Sequence, residues 1–272
     1  MEWIGTLTDE EARILGFHWP FWARPDQIAP NGDWLCWLVQ AGRGWGKTRT
    51  GAEWVNQMAV DFPGCRIALV AQTAADARDV MIEGESGILN CGDPEETPEY
   101  EPSKRRLTWP NGSMASTYSA EKSRQLRGPQ HHFAWCDELA SWSSWEAWTQ
   151  LKMGLRLGDR PRYIITTTPR PLIQLRRLAE KPGTITTRGR TKDNKTNLSA
   201  SFIQAIYDEY GSTTLGRQEL EGELLSEIPG ALFTRKLIDA HRVSDAPNFD
   251  RVVVAVDPAV TSNEDSDESG IV

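Results

Sequence analysis

Long apolar runs are missing from this chain. No stretch of about 18 apolar residues occurs, which excludes a membrane-spanning helix. The opening Met1-Glu2-Trp3-Ile4 has no basic region followed by an apolar core, so no signal peptide is read there. Cysteine is scarce: Cys36, Cys65, Cys91 and Cys136 show no paired spacing. They read as free thiols of a reducing cytoplasm rather than a disulfide framework. The histidines, His18, His131, His132 and His241, have no cysteine at ligand spacing, which argues against zinc. Positive charge is in deficit, with 30 Lys+Arg against 38 Asp+Glu and a net charge of -8. That argues against coating nucleic acid by charge alone, though not against gripping it through a local surface.

Tryptophan is abundant, at 12 residues. Trp19, Trp22, Trp142, Trp145 and Trp148 sit in amphipathic settings and read as core or interface anchors. The length of 272 residues suffices for one large core, or one domain plus part of another. The acidic excess is local. Glu95, Glu96, Glu99 and Glu101, and later Glu264, Asp265, Asp267 and Glu268, read as solvated loops. Basic residues gather at Lys104-Arg105-Arg106, Lys122 to Arg127 and Arg170 to Arg177.

Strand signals fall at Trp34 to Val39, Arg66 to Ala71, Phe133 to Cys136, Tyr163 to Thr167 and Thr184 to Thr187. Helices are expected at Thr48 to Met58, Ala74 to Ile82, Trp145 to Leu155, Pro171 to Ala179, Ala200 to Tyr210 and Thr213 to Leu225. Arg106 to Met114 reads as a hairpin turning at Asn111-Gly112. The alternation predicts an α/β fold, a mostly parallel sheet with helices on both faces. Nucleotide is expected at the carboxyl ends of its strands. Pro229-Gly230 breaks the last helix, and Arg251 to Val256 reads as the first strand of a second domain. The expected division is 1–198, a linker or lid at 199–248, and a short start of a further domain at 249–272.

The strongest motif is Ala41-Gly42-Arg43-Gly44-Trp45-Gly46-Lys47-Thr48, between a strand and a helix. Such a loop surrounds phosphate oxygens with backbone N–H groups at a helix N-terminus. Gly42, Arg43, Gly44, Trp45, Gly46, Lys47, Thr48 and Arg49 form the expected nucleotide contact. Lys47 reaches the outer phosphates and the Thr48 hydroxyl holds Mg²⁺. The pattern has Gly at its first position, where this chain has Ala41. The plainer alternative is a glycine-rich turn.

The second motif is Phe133-Ala134-Trp135-Cys136-Asp137-Glu138, an apolar strand ending in two acids. Asp137 is assigned to Mg²⁺ and Glu138 to the general base that activates water. Acids capping a helix N-terminus are the alternative. Tyr163 to Pro169 presents Thr166, Thr167 and Thr168, hydroxyls suited to sensing the γ-phosphate. Threonine also simply favours strands. Arg43 can touch the γ-phosphate directly. Arg127, held by Gly128-Pro129 shortly before Asp137, can reach a neighbouring subunit's ATP. A surface ion pair is the bland reading of either arginine. Gln27, in Arg24-Pro25-Asp26-Gln27, is a candidate reader of the adenine edge.

Together these residues resemble the large subunit of tailed-phage terminases. The resemblance also rests on Asn111-Gly112-Ser113, on Leu126-Arg127-Gly128, and on Gly216 to Leu224 followed by Gly230-Ala231-Leu232-Phe233. It implies a P-loop ATPase of the additional-strand, catalytic-glutamate class that uses ATP and Mg²⁺ to drive double-stranded viral DNA into a procapsid. It implies a homo-oligomeric ring, usually a pentamer, on the portal protein in the host cytoplasm, with a small terminase subunit and no membrane. The family also carries an RNase H-like nuclease with divalent metals, and Asp257 resembles its first metal-binding acid. Asp265 and Asp267 lie in a polar loop and are poor substitutes for the later acids, so nuclease activity is not expected of this chain. Two alternatives stand beside this reading: a helicase-like ATPase, and an inactive prophage remnant that binds nucleotide without turnover.

Overall fold

Six consecutive buried residues, Cys36–Ala41, form strand β1. A strand buried on both faces belongs inside a parallel sheet. The computed structural model describes residues 7–224, 232–233, 235–242, 251, 253–257 and 270–271. By backbone contacts the chain divides into two units, Met1–Ser226 and Glu227–Val272. The sequence places its breaks instead at 198 and 248.

In the first unit β1 joins β2 (Arg66–Ala71), β3 (Glu99–Glu101), β4 (Arg106–Thr108), β5 (Met114–Ser119), β6 (Phe133–Asp137), β7 (Arg162–Thr167) and β8 (Thr184–Gly189). The sheet order is β3-β4-β5-β2-β6-β7-β1-β8. From β5 to β8 every pairing is parallel; β3 and β4 add an antiparallel edge. β7 lies between β1, which feeds the phosphate loop, and β6, which ends in the acids. That inserted strand defines the additional-strand class.

Side chains of β1 alternate between two cores. Trp37, Val39 and Ala41 face the cluster that includes Ala52, Val55 and Ala59 of α3 (Lys47–Asp61). Cys36 and Leu38 face α5 (Glu146–Gly154) and α6 (Ile173–Ala179), through Leu151 and Leu175. The sheet is thus covered on both faces. Close approach of α3 to the sheet depends on Gly51: a Cβ there would stand 2.2 Å from the Trp135 ring.

Preceding the sheet are α1 (Asp9–Phe17) and the short α2 (Trp19–Trp22). After β2 comes α4 (Ala74–Asp76), which continues as a π-helical stretch to Ile82 where the sequence predicts a single α-helix. Trp142 and Trp148 are buried as anticipated, but Trp22 is 60% exposed. The acidic loop is partly strand: Glu99 and Glu101 lie in β3, and Glu101 pairs with Lys104 and Arg106. Cross-strand charge pairing stabilises an edge that composition alone marks as loop.

Past β8 come α7 (Ala200–Tyr210) and α8 (Thr214–Glu219). α8 stops well short of the expected Leu225, because the Glu219 and Leu220 carbonyls accept bonds from Arg43 N–H (2.7 Å) and Thr191 N–H (2.8 Å). The second unit contains α9 (Arg235–Ala240) and a pair of two-residue strands, β9 (Val256–Asp257) and β10 (Gly270–Ile271), paired antiparallel. Of the strand expected from Arg251, the described residues place Val256–Asp257 in a strand, paired with Gly270–Ile271. Pro229-Gly230, Asp265 and Asp267 lie outside the described residues.

Candidate nucleotide site

Gly46 closes the phosphate loop with φ +102°, a left-handed conformation that glycine adopts without strain. α3 begins at the next residue, with no acid in its first turn and no side-chain cap. Its first N–H groups are therefore available to an anion. The loop opens on a cleft of about 940 Å³ lined by Arg43, Gly44, Gly46, Lys47, Thr48, Arg49, Glu138, Thr168 and Arg170, among others.

Lys47 is the hub of this cleft. Its Nζ donates to the carbonyls of Ala41 (3.2 Å) and Gly42 (3.4 Å) and to Thr168 Oγ1 (3.0 Å). It also stands 3.3 Å from Glu138 Oε1. The other carboxylate oxygen of Glu138 accepts the Thr168 N–H at 3.0 Å. Glu138 holds this position with φ +47°, rare for a residue with a side chain. The turn aims its carboxylate across the sheet at β7 and the phosphate loop, not along the chain as a helix cap.

Asp137 is buried, with only 7% of its surface exposed. Its Oδ1 accepts the Thr166 hydroxyl at 2.6 Å, and Thr166 Oγ1 in turn accepts the Trp135 indole N–H at 2.7 Å. Burial, together with the charge of Glu138, pushes the Asp137 carboxyl up to about 7. A desolvated carboxylate beside a second acid suits a neighbouring cation, and hard divalent cations take oxygen donors such as this and the Thr48 hydroxyl. The donor chemistry therefore fits Mg²⁺.

All three threonines are engaged. Thr166 bonds Asp137, Thr167 Oγ1 accepts the Ala140 N–H (3.1 Å), and Thr168 touches both Lys47 and Glu138. Removing the Thr166 hydroxyl strands the buried Trp135 N–H. Thr166→Val is expected to lower stability by about 1–3 kcal/mol, the cost of a buried donor left unpaired. Thermal or urea unfolding of the two proteins checks this.

Other expected residues take different places. Gln27 is 5% exposed, and its amide donates to Thr50 Oγ1 (3.1 Å) and the Gly46 carbonyl (3.4 Å). It braces the loop; its amide is not offered to an adenine edge. Trp45 is fully buried, its indole under the Arg24 guanidinium 4.9 Å from the ring, its backbone N–H donating to the Gly42 carbonyl (3.3 Å), and it does not line the cleft. Arg49 lines the cleft but is tied to Glu53 at 2.6 Å. Arg43 is exposed at the loop tip. Arg127 lies outside the cleft lining, 59% exposed and 3.3 Å from Glu146. The backbone of Asp257 ends β9 in the second unit.

Sequence reasoning missed two braces. Arg24 donates to the Trp45 carbonyl and, at 2.7 Å, to Asn194 Oδ1. Asn194 donates to the Gly44 carbonyl at 2.7 Å. Arg24 lies in the segment read for Gln27, but nothing there marks it as a brace, and Asn194 stands 150 residues from Gly44 with no local pattern to mark it.

The fold is that of the P-loop NTPases of the additional-strand class, and the site sets Lys47 of the loop beside Glu138 and Thr168. Residues 38–240 match the family described as terminase large subunit, T4likevirus-type, N-terminal. The chain belongs to that family. No curated protein matches it. Among solved structures, the large terminase ATPase domain of Thermus phage P74-26 is 16% identical with a TM-score of 0.62, covering 80% of this chain and 98% of that one. A large terminase from a thermophilic bacteriophage, in complex with ADP, is 16% identical with a TM-score of 0.60, covering 78% of this chain and 53% of that one. The large terminase of bacteriophage HK97 is 14% identical with a TM-score of 0.54, covering 80% and 50%. The chain thus spans about half the length of the ADP-bound terminase and of the HK97 terminase.

Proposed function

We propose that this chain binds and hydrolyses ATP with Mg²⁺ to power translocation of double-stranded DNA into a procapsid, as a subunit of a homo-oligomeric ring. The observation that carries the reading is the network in which Lys47, Glu138 and Thr168 contact one another and the Glu138 N–H, donating to the Thr166 carbonyl at 2.7 Å, ties them to Thr166 and Asp137. It joins the phosphate hook, the base, the cation ligand and the strand that couples them.

In this reading the loop N–H groups and Lys47 bind the phosphates. Arg43 adds positive charge at the γ-phosphate. Thr48 and Asp137 would hold Mg²⁺, which would shield phosphate charge. The phosphates attract Lys47 away from Glu138, freeing the carboxylate to take a proton from water. Thr168, bonded to both groups, senses that exchange. Glu219 and Leu220, bonded to the Arg43 N–H and to Thr191, carry it to α8. Arg127 acts on a neighbouring subunit's ATP. The portal, the small terminase subunit and the host cytoplasm are the setting. Asp257 is proposed as the first metal-binding acid of a nuclease domain.

ATP titrations with and without Mg²⁺ test the metal assignment. Wild type should bind ATP more tightly with Mg²⁺, and Asp137→Asn should lose most of that difference. An undiminished Mg²⁺ effect in Asp137→Asn would remove Asp137 from the metal site.

A further inference from the structure

The net charge of -8 conceals a strongly positive stretch. Between Ala147 and Gly189 stand nine basic residues and two acids, Asp159 and Glu180, a local net charge of +7. The fold gathers much of this charge at one edge. α5 and α6 cover the same face of the sheet. α5 ends beside the start of β6, where His131 N–H donates to the Gly154 carbonyl (2.9 Å). α6 ends beside the start of β8, where Thr184 N–H donates to the Lys181 carbonyl (3.0 Å). Both helices therefore finish at the amino ends of the parallel strands, opposite the nucleotide cleft.

Each helix delivers cations there. Lys152 occupies the last turn of α5, and Arg176 and Arg177 the last turn of α6. Arg156, Arg160 and Lys181 follow in the adjoining turns. All are exposed except the half-buried Arg176. No described residue forms an ion pair with any of the six, whereas Arg13, Arg49, Arg106, Arg190 and Arg217 are each paired. A helix C-terminus stabilises a cation or two. It does not account for six at one edge. Burial over the Trp148 ring and the like charge of Lys181 both push the Lys152 ammonium below its usual range. Self-repulsion of this kind is relieved by a polyanion.

The edge is also mechanically connected. Only Pro169 to Leu172 separate Thr168, which touches Lys47 and Glu138, from the first residue of α6.

We propose that the edge formed by the C-terminal ends of α5 and α6, with Lys152, Arg156, Arg177 and Lys181, binds the phosphate backbone of double-stranded DNA without reading its bases. The proposal rests on the packaging reading above. Duplex DNA presents one negative charge per ~1.7 Å of axis, so contact of this kind is salt-dependent and independent of sequence.

Fluorescence anisotropy of the full chain with a labelled random-sequence duplex, over a salt series, tests it. Arg177→Gln combined with Lys181→Gln should reduce the slope of log affinity against log salt by about two. Affinity near 0.1 M salt should fall by roughly tens of fold. Lys122→Gln with Arg124→Gln, at the other end of α5, should leave the slope unchanged. Basal ATP turnover without DNA should match wild type in both, since none of the four touches the nucleotide cleft. Equal slopes in wild type and the Arg177/Lys181 variant would overturn the proposal. A wild type that binds duplex through these residues but never hydrolyses ATP would support the edge and overturn the ATPase reading, so the two failures are distinguishable.

Discussion

Glu138→Gln is expected to cut ATP turnover by about 10²–10⁴-fold, the usual worth of a positioned general base. ATP affinity should change little. The amide keeps the shape and still accepts the Thr168 N–H, which Glu138 Oε2 accepts at 3.0 Å. What it loses is the ability to take a proton. The 3.3 Å contact with Lys47 also becomes a neutral one, so Lys47 is released to the phosphates more readily. The variant should therefore trap unhydrolysed ATP. Phosphate release together with equilibrium ATP binding separates the two effects. Full turnover in the variant would remove Glu138 from the role of base.

Arg127→Ala is the second large expectation, with a loss of about 10³-fold or more in the assembled motor, the range of an arginine supplied to a neighbour's phosphate. In the isolated chain at low concentration the same change should do little. Arg127 is outside the cleft lining, and among the described residues its guanidinium pairs with Glu146, at 3.3 Å. An exposed pair of that sort contributes little to stability. The discriminating measurement is turnover per chain against chain concentration. Wild type should rise as subunits associate and Arg127→Ala should stay flat. Equal losses at all concentrations would place the arginine in its own subunit's reaction.

Much of this molecule is legible in its sequence where the signal is local. Arg66–Ala71 falls where its apolar run puts it, because it is buried on both faces, and Ala200–Tyr210 where periodicity puts it, because one side of it, with Ile203, Ile206, Tyr207 and Tyr210, is half-buried. The phosphate loop and the Asp137-Glu138 pair are equally local, each a short motif tied to a strand end. β1 ends at Ala41, two residues beyond the apolar run, because its pairing with β8 continues to Ala41 opposite Gly189. β3 is hidden because Glu99 and Glu101 read as solvated acids until Arg106 is placed opposite. The strand order is not legible, since the place of β7 between β1 and β6 is a matter of long-range pairing.

The site shows the same division. Lys47, Glu138 and Thr168 meet from three separate segments, and each is marked by its own motif. Their supports are not. Gln27 braces Gly46 and Thr50, and Asn194 holds Gly44 from 150 residues away. Such second contacts depend on tertiary packing that leaves no spacing in the sequence. The threonine run is ambiguous for another reason. Its β-propensity explains the residue type, and only the hydroxyl partners Asp137, Ala140 and Lys47 disclose the second use.

The most direct test is phosphate release from Mg·ATP by the purified wild-type chain, with and without double-stranded DNA, beside Lys47→Ala. Mg²⁺-dependent turnover that rises with DNA and vanishes in Lys47→Ala is the predicted result. Turnover that persists unchanged in Lys47→Ala would contradict the account, because the reaction would then be occurring somewhere other than the phosphate loop.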